Sequence, residues 1–501
     1  MDKKLNINES FICKIWESAG EYLTTLKTAD GNEVEVIDYG KKNFDSGPDY
    51  LDAVIKIGGK VNKGHVEVHQ DFKHWFEHNH LNDRKYVSVI LQVVLWDSKN
   101  RKLPKLRIKR DLPTVILANH LKYSIHHIWQ EIINKPSSKT KLPCTNLNDE
   151  IQDNTITEWF SALAIERLKL KSQRIKDRLL EIESENEGKA VTGSLKNKAS
   201  WEQVFYELIF EALGFSKNKE QMMKLARSFR LKDIIASPAL VGRSNLSQGL
   251  SDNLRKMEKS PDAKLFIQSA LFGLSGLLFD LRVKDEYTEK IKSIWNELEN
   301  SLNAPRLSKS DWHFFRMRPQ NFPTRRIAYG SQFIIKLINE DLLKEVILLF
   351  QNNELEPKEI YKYLAMFIKP VKDEYWDSHY NLGKKSAKSE RLLGAQRIDD
   401  IIVNVITPLL FIYSDIFAKR NLKNRVLDFY TGLKTNPDNS VVKLINSQII
   451  KRRKININTP AMEQAAIQLF NFYCTRERCD YCVIGKKVFK DSGYEYKIIY
   501  Y

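Results

Sequence analysis

The sequence predicts an α+β protein, with a mixed α/β domain over residues 1–150 followed by a mostly α-helical region. Three observations predict it. Before residue 150, short apolar runs rich in β-branched residues alternate with turn residues. Beyond it, apolar residues recur at helical spacing. The chain has 501 residues, 42% of them hydrophobic, which is more than one core organises, so two or three domains are expected.

In the first domain, residues 33–38 read Glu-Val-Glu-Val-Ile-Asp, the alternation of a strand. Residues 51–57 and 65–69 alternate likewise, and 86–96 are rich in valine. Asp30-Gly31, Ser46-Gly47-Pro48 and Gly58-Gly59 supply turns. Helices are expected at 9–19, at 71–78 (where Phe72, Trp75 and Phe76 share a face) and at 113–134. Residues 151–460 are expected to form an all-helical domain, beginning with a long helix at 155–183 and a second at 201–213 capped by Ser200. Polar stretches at 136–140 and 184–199 read as loops, and 461–501 as a C-terminal segment ending in a short strand after Lys486.

Composition narrows the function classes. Five cysteines in so long a chain argue against a disulfide-stapled secreted protein. Residues 1–10 are polar, without an apolar signal core. The most apolar stretches, 265–281 and 401–417, are short and interrupted by polar residues, so buried helices are expected rather than membrane spans. A cytoplasmic location and no membrane partner follow as expectations. Lys plus Arg number 80 against 63 Asp plus Glu, a net charge of +17 that favours a polyanion, nucleic acid first.

The specific constellation lies at 43–80. Pro48-Asp49 leads into a strand, and the next strand carries Gly64-His65-Val66-Glu67-Val68-His69. Side chains alternate along a strand, so Glu67 and His69 share a face. A hairpin through Gly58-Gly59 would bring Asp49 to that face. Carboxylates on adjacent strands suit a hard divalent cation, and a neighbouring base can act on water, which is what phosphodiester hydrolysis requires. Asp49 and Glu67 are thus candidate Mg²⁺ or Mn²⁺ ligands, and Asp49, Glu67 and His69 candidate catalytic residues. Glu17, on the preceding helix, is a further carboxylate. His78, His80 and Gln92 are expected as supporting neighbours. Histidines 69, 78 and 80 also permit a zinc hydrolase site instead.

Three of the five cysteines, Cys474, Cys479 and Cys482, fall within nine residues. Such spacing suits zinc or an iron–sulfur cluster, with Cys144 as the expected fourth ligand. Basic clusters occur at 99–110, 167–178, 384–391 and 451–454. Around residues 315–326, Arg316, Arg318, Arg325 and Arg326 interleave with aromatics and prolines. Arginine forks grip phosphates and aromatics stack on bases, so these four are candidate nucleic-acid contacts.

Pro48-Asp49 with Glu67-Val68-His69 resembles the PD-(D/E)xK motif of restriction-endonuclease-like nucleases, with histidine in the lysine's place. The resemblance implies a restriction-endonuclease-like N-terminal domain and a divalent-metal-dependent nuclease. The alternative is a nucleic-acid-binding protein with a degenerate core. The cysteine arrangement resembles, in architecture only, the iron–sulfur staple of some recombination and CRISPR-adaptation exonucleases. Several phrases together resemble a bacterial family known as domain of unknown function 2851. These are Gly47-Pro48-Asp49, Gly64-x-Val66-Glu67-Val68-His69, Trp75 with His78-x-His80, Val89-Ile90-Leu91, Arg318-Pro319-x-Asn321-Phe322-Pro323 and the terminal cysteines. Where that family tends to carry histidine before Val-Val, this chain has Gln92. The resemblance implies no activity by itself.

Overall fold

The structure is a computed structural model. It describes residues 7, 9–43, 47–77, 80, 83–97, 111–134, 141–145, 147–187, 195–215, 217–235, 261–279, 285–300, 302, 304–314, 317–387, 391–451, 453–476 and 478–489. It is α+β, with a sheet-rich N-terminal region followed by a mostly helical one. The chain forms two compact units, one of 1–163, 437–457 and 465–501, the other of 164–436 and 458–464. Segments late in the sequence therefore return to the N-terminal unit.

The first unit is built on one mixed sheet. Its strands are β1 (Leu26–Lys27), β2 (Glu33–Asp38), β3 (Lys41–Lys42), β4 (Tyr50–Ile57), β5 (Lys60–Asp71), β6 (Val89–Trp96) and β7 (Thr114–Ile116), in the order β1-β2-β4-β5-β6-β7 with β3 on β4. Neighbours from β1 to β5 are antiparallel, whereas β6 and β7 run parallel to β5. The β4–β5 turn is made by Gly58 and Gly59, both at positive φ (53° and 83°), which glycine adopts without a Cβ penalty. Gly64 answers a different need. A Cβ there would lie 2.5 Å from both the Ile90 side chain and the Ser88 carbonyl, so only glycine lets β6 approach β5 so closely.

Helices α1 (Glu9–Glu17), α2 (Ala19–Tyr22), α3 (Lys73–Glu77) and α4 (Ile125–Asn134) accompany the sheet. Ile12, Ile15 and Trp16 of α1 pack with Val66 and Val68 of β5 and Leu91 and Val93 of β6 in the main core. A smaller cluster gathers Trp75, Tyr86, Val89 and Leu112. One expected helix divides: residues 114–116 are a strand, 117–120 a 3₁₀ turn, and the α-helix begins at Ile125. Thr114-Val115-Ile116 are all β-branched and pair with Gln92, Val93 and Val94 of β6, and that pairing overrides the helical spacing.

Later segments complete this unit. The Gln448 side-chain carbonyl accepts from the Leu142 N–H and the Thr145 hydroxyl, each at 2.7 Å. The Arg453 guanidinium donates to the carbonyls of Asn148 and Ile151 and, at 2.9 Å, to the Asp153 carboxylate. Residues 483–489 are helical rather than the start of a strand, and 490–501 lie outside the described residues.

The second unit is helical apart from a two-stranded hairpin, β8 (His379–Asn381) with β9 (Lys384–Lys385). Helix α5 (Asp153–Glu187) runs through the division between units, and α6 (Lys198–Leu213) is the helix expected at 201–213. Its N-cap is Asn197, whose side chain accepts from the Ala199 N–H, rather than Ser200, which is buried. Within this unit, buried Glu207 accepts from both Nε and Nη2 of Arg178 (2.8 and 2.9 Å), from Arg227 Nε at 3.1 Å and from Gln203 at 3.0 Å. Within the two apolar stretches, residues 265–274 and 401–416 lie in largely buried helices, and no helix among the described residues is long and apolar enough to cross a membrane.

Candidate metal centre

The site is built on β4 and β5. Tyr50 pairs with Val66, and a register shift follows before Ala53 pairs with Gly64. The irregularity holds Asp52 at a φ of 58°, a left-handed conformation that costs a non-glycine residue roughly 1–3 kcal/mol. Its N–H donates to His65 Nδ1 at 3.2 Å. This bulge sets Asp49, at the mouth of β4, beside Glu67. The Asp49 N–H donates to Glu67 Oε2 at 3.1 Å, and the Val68 N–H donates to the Asp49 carboxylate at 2.9 Å.

Glu67 and His69 face away from the core that receives Val66 and Val68, as strand alternation requires. They are buried nonetheless, because His80 follows α3 and folds its ring over them. The Tyr86 ring stacks on His80 at 3.9 Å between centroids, and Trp75 meets both His80 and His69 edge-on. Burial first, then the charges of Glu67 and Asp49, push the Tyr86 phenol well above its ordinary pKa, so its ring is a neutral wall.

Glu67 Oε1 lies 3.3 Å from His69 Nε2 and 3.3 Å from His80 Nε2, and the two Nε2 atoms are 3.1 Å apart. These three ligand atoms make a nearly equilateral triangle. Tetrahedral zinc with bonds of about 2.0 Å sets its nitrogen and oxygen ligands about 3.3 Å apart. The donor set also has chemical meaning. Two imidazoles and a carboxylate suit zinc, manganese or iron, whereas magnesium prefers oxygen alone.

Gln92, opposite Glu67 on β6, bears on the His69 tautomer. Its Nε2 lies 3.2 Å from His69 Nδ1, and Thr114 Oγ1 lies 3.2 Å from its Oε1. The same hydroxyl also lies 3.2 Å from the Leu112 carbonyl, and it has one proton to give. A half-turn of the amide satisfies every group. Thr114 then donates to Leu112, Gln92 donates to Thr114, and the Gln92 oxygen accepts from His69 Nδ1–H. In that arrangement His69 presents a bare Nε2 lone pair toward Glu67 and His80.

The structure thus brings Glu67 and His69 together with His80, and sets Gln92 behind them. Asp49 touches Glu67 without joining the triangle, which is the one set of three ligand atoms within 4.8 Å of one another among the described residues. Glu17 bonds Lys42 and the Tyr50 hydroxyl instead. His78 and Arg316 lie outside the described residues, as does the basic run at 99–110. Arg318 is exposed.

The expectation that Arg325 and Arg326 grip phosphate gives way to a structural role. Both are buried, at 0% and 5% exposure. Arg325 Nη1 donates to the carbonyls of Trp376 (2.6 Å) and His379 (2.5 Å), and Arg326 donates to the Leu392 carbonyl (2.8 Å) and to Asn321 (2.6 Å). Their helix starts at Pro323, so successive arginines are wound inward rather than displayed on a loop.

Comparison with known families now decides the kinship. The sequence matches the family described as "Protein of unknown function (DUF2851)" over residues 9–239 and 244–439. The chain belongs to that family. The matched span takes in the whole Glu67–His69–His80 triangle, so the centre lies inside the family's own domain. Searches of curated proteins and of solved structures returned no match.

Proposed function

We propose that this family member is a metal-dependent phosphodiester hydrolase acting on nucleic acid, with Glu67, His69 and His80 as ligands of a divalent transition metal. The observation that carries the reading is the 3.1–3.3 Å triangle of one carboxylate and two imidazole atoms. When bound, such a cation supplies electrophilic assistance at a phosphoryl oxygen. The chain supplies the rest. Asp49 orients Glu67 and stands partly exposed beside it, placed to hold a water against a substrate phosphate. The wall of Trp75 and Tyr86 keeps bulk water from the histidines.

A polyanionic substrate is supported by the charge of +17 and by basic residues in the second unit. A second reading, a nucleic-acid-binding protein with a purely structural metal, draws on the burial of all three ligands.

The test is cleavage of single- and double-stranded DNA and RNA with Mn²⁺, Zn²⁺ or Mg²⁺, by wild type and by Glu67→Ala, His80→Ala and Asp49→Ala. Cleavage that is lost in the ligand variants supports the hydrolase. Salt-sensitive binding with no cleavage under any metal supports the second reading.

A further inference from the structure

The second unit carries a basic surface of its own, built over the buried pair Arg325–Arg326. We propose that Arg318, Lys384, Lys385 and Arg391, displayed around that pair, bind the phosphate backbone of a single nucleic-acid strand; this rests on the nucleic-acid reading above, and not on the metal or on cleavage.

Three chain segments meet at the two arginines, which lie near the start of helix Pro323–Asn339. Arg325 Nη1 bonds the carbonyls of Trp376 and His379 and so holds the start of β8. Arg326 bonds the Asn321 side chain at 2.6 Å and the Leu392 carbonyl at 2.8 Å. One guanidinium thus joins the turn Pro319–Asn321 to the segment that follows Arg391. A buried cation is costly unless its hydrogen bonds are made. Two in succession, each bonded to different segments, fix the places of all three.

Each segment presents its own exposed cation. Arg318 precedes the turn, Lys384 and Lys385 form β9, and Arg391 adjoins Leu392. The hairpin under the lysines is tied at several points. Lys385 pairs with His379 and Lys384 with Asn381, and the Ser386 N–H donates to the Ser378 carbonyl at 2.8 Å. At the tip, Gly383 takes a φ of 67° and donates its N–H to the Tyr375 hydroxyl at 2.8 Å. That hydroxyl in turn donates to the Asp285 carboxylate at 2.9 Å. The backbone is therefore set in advance, and gripping a phosphate costs side-chain freedom alone.

Aromatic rings separate this surface from an ordinary solvated one. Phe322 and Tyr380, both partly exposed, meet edge-on with centroids 5.9 Å apart, and so link the turn to the hairpin among the cations. Cations that track phosphates and rings on which bases stack are what a single strand uses. An acidic protein segment would satisfy the charges but offers no base planes to the rings. The guanidinium forks of Arg318 and Arg391 suit paired phosphate oxygens.

The test measures binding of fluorescently labelled single strands of DNA and RNA to the full chain by anisotropy, over a series of salt concentrations, with EDTA present so that cleavage does not intervene. In the wild type, log affinity should fall linearly with log salt. Lys384→Gln with Lys385→Gln should weaken binding at low salt about tenfold or more and lower the slope by about 1.4, roughly 0.7 for each lost phosphate contact. Lys358→Gln with Lys362→Gln removes the same charge from exposed positions on helix Pro357–Ile368 and should change neither. Tyr380→Leu should weaken binding about tenfold with the slope unchanged, because it alters stacking and not charge. Equal losses in the two lysine pairs, or no loss in the hairpin pair, overturn the surface while the nucleic-acid reading stands. Competition by poly-glutamate as strong as by an unlabelled strand overturns it in favour of an acidic protein segment. A wild type that binds no strand overturns the surface and the nucleic-acid reading together.

Discussion

Asp49 and Glu67 hold each other through main chain as well as side chain. The Asp49 N–H grips Glu67 Oε2 at 3.1 Å, while the Asp49 carboxylate receives the N–H of Val68, the residue next to Glu67. One carboxylate oxygen of Glu67 is thereby fixed, and the other is turned toward His69 and His80, 3.3 Å from each. The bulge at Leu51–Asp52 makes this possible, because it lets the start of β4 lie level with Glu67 after the hairpin has drifted in register.

Two classes of metal affinity follow. His80→Ala removes a vertex of the triangle and is expected to weaken zinc or manganese binding at least 100-fold by calorimetry. Asp49→Asn keeps the N–H that holds Glu67 and is expected to cost about tenfold or less. If His80→Ala binds metal like wild type while Asp49→Asn does not, the cation sits between the two carboxylates and the triangle is not its site.

Gln92 is expected to act through His69. Gln92→Leu removes the acceptor that keeps the His69 proton on Nδ1, and metal affinity should fall about 10–100-fold while the fold persists. Gln92→Glu, which restores an acceptor, should recover most of it. Equal affinities in Gln92→Leu and wild type would show that the tautomer is set elsewhere.

These residues differ in how plainly the sequence displays them. Alternation at Val66–His69 and the Gly58-Gly59 turn fix a hairpin by local rules, so Glu67 and His69 could be placed on one face from their spacing alone. His80 had a weaker signal. It follows the five-residue helix α3, and its approach to Glu67 depends on Trp75 and Tyr86 closing around it. Residues 114–116 are helical by periodicity and a strand by partnership, since only the presence of β6 rewards extension. Arg325 and Arg326 looked like a displayed basic loop because no local pattern announces the carbonyls of Trp376, His379 and Leu392 that enclose them.

Arginine variants should therefore separate. Arg325→Ala leaves two buried carbonyls without their donor and is expected to destabilise by about 2–4 kcal/mol in urea unfolding. Its folded fraction should bind nucleic acid with an unchanged salt slope. Exposed Arg318→Ala should leave stability within about 0.5 kcal/mol and, if it meets phosphate, reduce that slope by about one. A binding defect in Arg325→Ala without loss of stability would contradict its structural role.

The last prediction concerns acid. Glu207 is 3% exposed. Burial alone would raise its pKa, but the hydrogen bonds of Arg178 and Gln203 and the charges of Arg178 and Arg227 outweigh it, and the carboxyl is held below its usual 4.5. A folded-state value below the unfolded one means that the unfolded chain takes up the proton first as pH falls. The contribution of Glu207 to stability is then fully present above 4.5 and drains away as pH drops through the lowered folded value. Glu207→Gln keeps the shape, loses the charge, and leaves Arg178 and Arg227 facing a neutral amide. At neutral pH it should cost about 3 kcal/mol, the scale of a broken buried pair. That gap between variant and wild type, measured by urea unfolding of the helical signal, should narrow only below 4.5. A gap that stays constant down through the carboxylate range would mean that the charge of Glu207 is not what holds Arg178 and Arg227 in place.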